Sequence, residues 1–142
     1  MKRHQLLFAF ALLISFFAIE STAFAQNEPV LFFCEKYGRN GEIGVSDRFT
    51  TGYLTVVVKA DYALGLDDVA IQFDKYNYRT GKFEYYEKFY YSVDPDMKYI
   101  FFEKNEESDM NFKEPGIYRV FLLDERDRTV ASSLIEIIEK GR

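Results

Sequence analysis

The apolar positions of the chain recur with a period of two rather than 3.6. Leu54, Val56 and Val58 alternate with Thr55 and Lys59, and Val69, Ile71 and Phe73 share one parity. Successive strand side chains point to opposite faces, so each set predicts one buried strand face. Seven segments carry this composition, at about 30–37, 53–60, 69–78, 83–93, 99–103, 117–124 and 130–138. Their boundaries are turn-rich, as in Gly38-Arg39-Asn40-Gly41 and Asp94-Pro95-Asp96. Beyond residue 25 no window repeats at helical spacing. Short strands joined by polar turns predict an all-β, antiparallel, seven-stranded β-sandwich, with a small open barrel as the rival.

The connection between the third and fourth segments predicts its own register. Arg79-Thr80-Gly81 reads as a three-residue loop with Gly where positive φ is needed. An odd loop sets odd residues opposite odd ones, so Phe83, Tyr85, Phe89 and Tyr91 point inward with Val69, Ile71 and Phe73. Glu87 breaks that set and is placed near a sheet end. The outward face then carries Tyr76, Tyr78, Glu84, Tyr86, Lys88 and Tyr90, with Tyr76 opposite Glu84 and Asp74 opposite Tyr86.

The first 25 residues obey a different rule. Lys2 and Arg3 precede an apolar run from Leu6 to Ile19, which ends in Ala23-Phe24-Ala25. This is the order of a cleaved secretory signal, and a spanning helix needs roughly 20 apolar residues, more than the run supplies. Residues 26–142 then form one β-sandwich domain that is secreted, either periplasmic or extracellular, with no stable membrane insertion after cleavage.

Charge and rare residues narrow the chemistry. The net charge is −5, and no basic stripe suits a phosphate backbone, so nucleic acid is excluded as a partner. The single histidine, His4, lies in the leader, which removes histidine-dependent nucleophiles, metal sites and pH switches from the remainder. Cys34 is the single cysteine, so no internal disulfide forms. It reads as a small buried residue on the first strand, with an intermolecular disulfide as the functional alternative.

The stretch Phe112-Lys113-Glu114-Pro115-Gly116-Ile117-Tyr118-Arg119-Val120-Phe121-Leu122 resembles the approach to the penultimate strand of bacterial immunoglobulin-like and fibronectin-III-like modules. The resemblance implies an immunoglobulin-like sandwich in which Tyr118 forms a tyrosine corner and Val120 and Leu122 point inward. It implies no activity. The chain has no Trp and no second Cys, so the antibody-type pin is absent.

Candidate catalytic groups are carboxylates at Asp67-Asp68, Asp94 with Asp96, and Asp124 with Glu125 and Asp127. All sit in predicted turns, where Asp bonds nearby backbone amides, and no nucleophile or nucleotide motif accompanies them. The expectation is no enzyme and no cofactor. A carboxylate-dependent hydrolase is the least favoured class. Loosely bound calcium stays open through Glu103, Glu106, Glu107 and Asp109.

The positive signal is aromatic. Six of the nine residues in Phe83 to Tyr91 carry rings, and the outward tyrosines Tyr76, Tyr78, Tyr86 and Tyr90, with Lys88 and Glu84, form the expected binding surface. Tyrosine combines a rigid apolar body with one hydroxyl, which suits protein interfaces and sugar stacking alike. The expected function is an exported binding module for an envelope or extracellular protein, or self-association, through that face or an edge strand. Carbohydrate is the alternative ligand.

Overall fold

The computed structural model describes residues 28–102, 112–139 and 141. The expected leader and the calcium candidates Glu103, Glu106, Glu107 and Asp109 lie outside the described residues. Ten strands succeed one another among the described residues: β1 (Val30–Cys34), β2 (Lys36–Gly38), β3 (Gly41–Ile43), β4 (Arg48–Thr50), β5 (Thr55–Lys59), β6 (Asp68–Asn77), β7 (Lys82–Ser92), β8 (Tyr99–Phe102), β9 (Gly116–Leu123) and β10 (Thr129–Ile138). They form sheets of order β1-β5-β8, β4-β10-β9-β6-β7 and β2-β3.

The seven expected segments coincide with β1 and β5 to β10, which pair antiparallel throughout. The difference lies in residues 36–50. The Glu35 N–H donates to the carbonyls of Ile43 (3.0 Å) and Gly44 (3.3 Å), which bends the chain out of β1. Residues 36–43 therefore form a hairpin of their own, with Gly41 at φ 112°, a conformation that favours glycine. Strand β4 then runs parallel to β10, so the five-stranded sheet is mixed rather than antiparallel.

One core joins the two larger sheets. Leu31, Phe33, Val56, Val58, Ile100 and Phe102 on one side meet Val69, Ile71, Phe73, Tyr118, Val120, Leu122, Ile135 and Ile137 on the other. Each such side chain, fully removed from water, contributes about 1.5–3 kcal/mol against the entropy of ordering the chain. The arrangement is a β-sandwich. Cys34 is completely buried at the end of β1.

The outward side of the three-stranded sheet is covered by the chain itself. Val57 lies between Phe32 and Phe101 on that side and is nevertheless fully buried. The β2–β3 hairpin lies against this side: Tyr37 stacks on Phe101 at 4.5 Å and 14°, and Glu42 pairs with Lys59 and accepts the Tyr99 hydroxyl at 3.1 Å. Burial, then the Glu42 hydrogen bond, pushes the Tyr99 phenol far above its usual range. The outward side of the five-stranded sheet has no such cover among the described residues.

Candidate interaction face

Strands β6 and β7 set this face, and their register differs from the one the sequence predicts. Asn77 pairs with Lys82, so the loop holds four residues, Tyr78 to Gly81, rather than three. Asn77 organises it: its Oδ1 accepts from the Arg79 N–H at 2.9 Å, and its carbonyl accepts from the Gly81 N–H at 2.8 Å. Gly81 has the expected positive φ, 68°. A bulge opposite Phe73 and Asp74 then absorbs Tyr86 as an extra residue. Beyond the bulge odd residues do face odd ones, as Val69 faces Tyr91. Between bulge and loop, every β7 side chain is turned over.

Several placements change as a result. Tyr76 lies opposite Phe83, not Glu84, and Asp74 lies opposite Tyr85, not Tyr86. Tyr85 and Phe83 point outward, and Tyr85 is 66% exposed. Tyr86 points inward, packs against the core and stands edge-on to Tyr118 at 5.3 Å. Glu84 also lies on the inward side, where it accepts from Asn77 Nδ2 at 3.0 Å and Thr80 Oγ1 at 2.9 Å and closes the hairpin. Glu87 sits at the bulge opposite Phe73, in mid-strand rather than at a sheet end.

The other expected residues do share the outward side. Tyr90 (75% exposed) lies with Lys88, whose ammonium pairs with Asp127. Tyr78, 72% exposed in the loop, meets Tyr76 edge-on at 5.1 Å, and Tyr76 meets Phe83 at 5.2 Å. The centre of the face is a residue that sequence reasoning missed. Arg119, on β9 between Asp74 and Leu134, lays its guanidinium 4.3 Å from the Phe83 ring centroid and 5.9 Å from that of Phe121. Leu134 beside it is 52% exposed. The signal was available: Val120 and Leu122 point inward, so their neighbours Arg119 and Phe121 must point outward.

At the far end of this face a cavity of about 430 Å³ lies between β7 and the β9–β10 turn, lined by Asp68, Tyr90, Ser92, Asp124, Glu125 and Asp127. Its carboxylates are held by neighbouring groups of the chain. Asp124 Oδ1 accepts from the N–H groups of Arg126 and Arg128, both at 2.9 Å, and Oδ2 pairs with Arg128. These bonds, the Arg128 amide first, hold its carboxyl below the usual range. Asp94 accepts the Asp96 N–H at 2.9 Å, as the turn reading expects, whereas Asp68 is the first residue of β6 rather than a turn residue and accepts the Ser92 hydroxyl across the ladder at 2.8 Å. Among the described residues no three His, Cys, Asp or Glu side chains are grouped to hold a metal.

The corner of β9 decides the fold type. Tyr118 is fully buried and its hydroxyl donates to the Glu114 carbonyl at 2.8 Å, four residues back across the Pro115-Gly116 turn. Strands β5 and β8 lie in one sheet and β6, β9 and β10 in the other, with β7 added outside β6. That is the partition of B and E against C, F and G, with a C′ strand. The fold is immunoglobulin-like. The chain matches no family model and no curated protein. Among solved structures it is similar to an immunoglobulin-like protein from Pseudomonas aeruginosa, at 11% identity and a TM-score of 0.45 over 80% of this chain and 99% of that one.

Proposed function

We propose that this protein is an exported, non-catalytic binding module that docks an envelope or extracellular protein on the outward side of its five-stranded sheet. We read β1 and β5 to β10 as the seven strands of an immunoglobulin-like sandwich, with β2 to β4 as additions. The supporting observation is the exposure of Tyr85, Tyr90 and Leu134 around the Arg119–Phe83 stack. Tyrosine and arginine supply much of the energy of protein interfaces, tyrosine through a large rigid ring with one hydroxyl and arginine through a planar guanidinium that both stacks and donates in a fork.

Side-chain docking is favoured over strand addition at β7. That edge carries a bulge at Tyr86 and the charges Lys82, Glu84, Glu87 and Lys88, devices that discourage pairing with another strand. Carbohydrate fits less well, since the Phe83 ring face is already taken up by Arg119. The test is capture from the source organism's envelope fraction by the full chain and by a Tyr85→Ala, Tyr90→Ala variant. A specific protein retained by the first and lost by the second supports the reading. Equal retention by both removes the face from the function.

A further inference from the structure

Arg48, Lys75 and Lys88 of the five-stranded sheet each hold a carboxylate, from Glu136, Glu114 and Asp127 respectively. Arg119, the central cation of the outward side, has no ion pair among the described residues; its contacts are the Phe83 and Phe121 rings. Asp74 lies directly opposite in the ladder, but its Oδ1 accepts from the Gln72 amide at 2.9 Å. A guanidinium that lies over rings without an ion pair keeps N–H donors of its fork for another acceptor. The rings also hold the fork in place, which lowers the entropy lost when a planar anion binds it. An arginine fixed on an aromatic floor is a preformed half of a bidentate pair.

We propose that Arg119 is the recognition point of this face, and that it takes a carboxylate which the protein partner presents between apolar side chains. The inference rests on the reading of this side as a protein-docking surface. A guanidinium without an ion pair among the described residues calls for an anion, and Tyr76, Tyr85, Phe121 and Leu134 around it call for apolar flanks.

The test uses the full chain against a displayed library of random peptides with blocked termini. Selected peptides should carry Asp or Glu flanked by Leu, Phe or Tyr. Changing that acid to its amide, or Arg119→Gln in the protein, should each weaken binding at least about tenfold, and the double change should add little further. Arg119→Lys keeps the charge without the fork and should also weaken binding, with thermal unfolding of each variant confirming the fold. Selected peptides without acid, undiminished binding by Arg119→Gln, or binding confined to uronate- or sialate-bearing glycans would overturn the proposal. Loss on Tyr85→Ala with no loss on Arg119→Gln would leave the docking face standing and remove its carboxylate. Binding insensitive to both changes, or no binder at all, would remove both.

Discussion

The Tyr86 ring stands edge-on to that of Tyr118, 5.3 Å between centroids and 75° between planes, with the Lys75 ammonium within 6 Å of both rings. Tyr118 is anchored in turn by its hydrogen bond to Glu114. Tyr86 is thus part of the sandwich wall. Replacing it with Ala should lower stability by roughly 1–3 kcal/mol, from lost ring burial and a lost aromatic pair. Tyr118→Phe should cost about 1–2 kcal/mol, because the Glu114 carbonyl loses its donor. Urea unfolding measures both, and an unchanged midpoint for Tyr86→Ala would place that ring outside the core.

Tyr85→Ala and Tyr90→Ala should behave oppositely. Both side chains are largely exposed, so stability should stay within about 0.5 kcal/mol of the parent while partner capture falls. Comparing unfolding midpoint with retained partner, variant by variant, separates wall from face.

Stability should fall steeply in alkali. Burial raises the pKa of Tyr99 and Tyr118 above the value of about 10 that tyrosine has in an unfolded chain. The folded protein therefore holds protons that the unfolded chain releases above pH ~10. Their contribution is complete below that pH and is lost as pH rises toward the folded values. Absorbance at the phenolate band should show these two groups ionising only together with unfolding. Reversible ionisation of all eleven tyrosines before unfolding would contradict it.

On the acid side the sign reverses. Glu42 is held low chiefly by Lys59, Glu84 by Asn77, Asp124 by the Arg128 amide and Glu136 by Arg48. Each favours the folded state above the carboxylate's unfolded pKa, near 4, and loses that contribution as pH falls below it. Thermal midpoints measured from pH 7 to 2 should decline through this range. Asp124→Asn should flatten part of the decline, and an unaltered slope would assign it to other groups.

Gly116 allows a test of the corner. Its φ is 152°, and an added Cβ would lie 2.9 Å from the Lys75 Cε, so Gly116→Ala strains the backbone and displaces Lys75 from Glu114. The expected cost is roughly 1–3 kcal/mol in denaturant unfolding. A smaller change would mean that the turn relaxes without the tyrosine corner.

Much of the fold is legible because it rests on local pattern. The inward set Val69, Ile71 and Phe73 comes from parity, while inward Tyr118, Val120 and Leu122 and the corner after Pro115-Gly116 come from the resemblance of that stretch to immunoglobulin-like modules. The β2–β3 hairpin was less legible, because Val30 to Tyr37 has unbroken strand composition. The bend at Glu35 is made by backbone bonds to Ile43 and Gly44, which leave no mark on residue type.

The binding face was half legible for a sharper reason. Sequence by itself determined that the chain is all-β, that Phe83 to Tyr91 forms a strand and that some of its rings must face water, since a period of two cannot bury consecutive aromatics on one side. Only the tertiary structure decided which rings. One extra residue in the Tyr78 to Gly81 loop and one at Tyr86 each reverse the parity of the strand beyond them, and together they cancel past the bulge. A one-residue slip exchanges the two faces of a strand, and its cost is set by packing against Tyr118 and Phe73 in other strands. Those contacts bring Tyr86 inside, turn Tyr85 out and place Arg119 on Phe83.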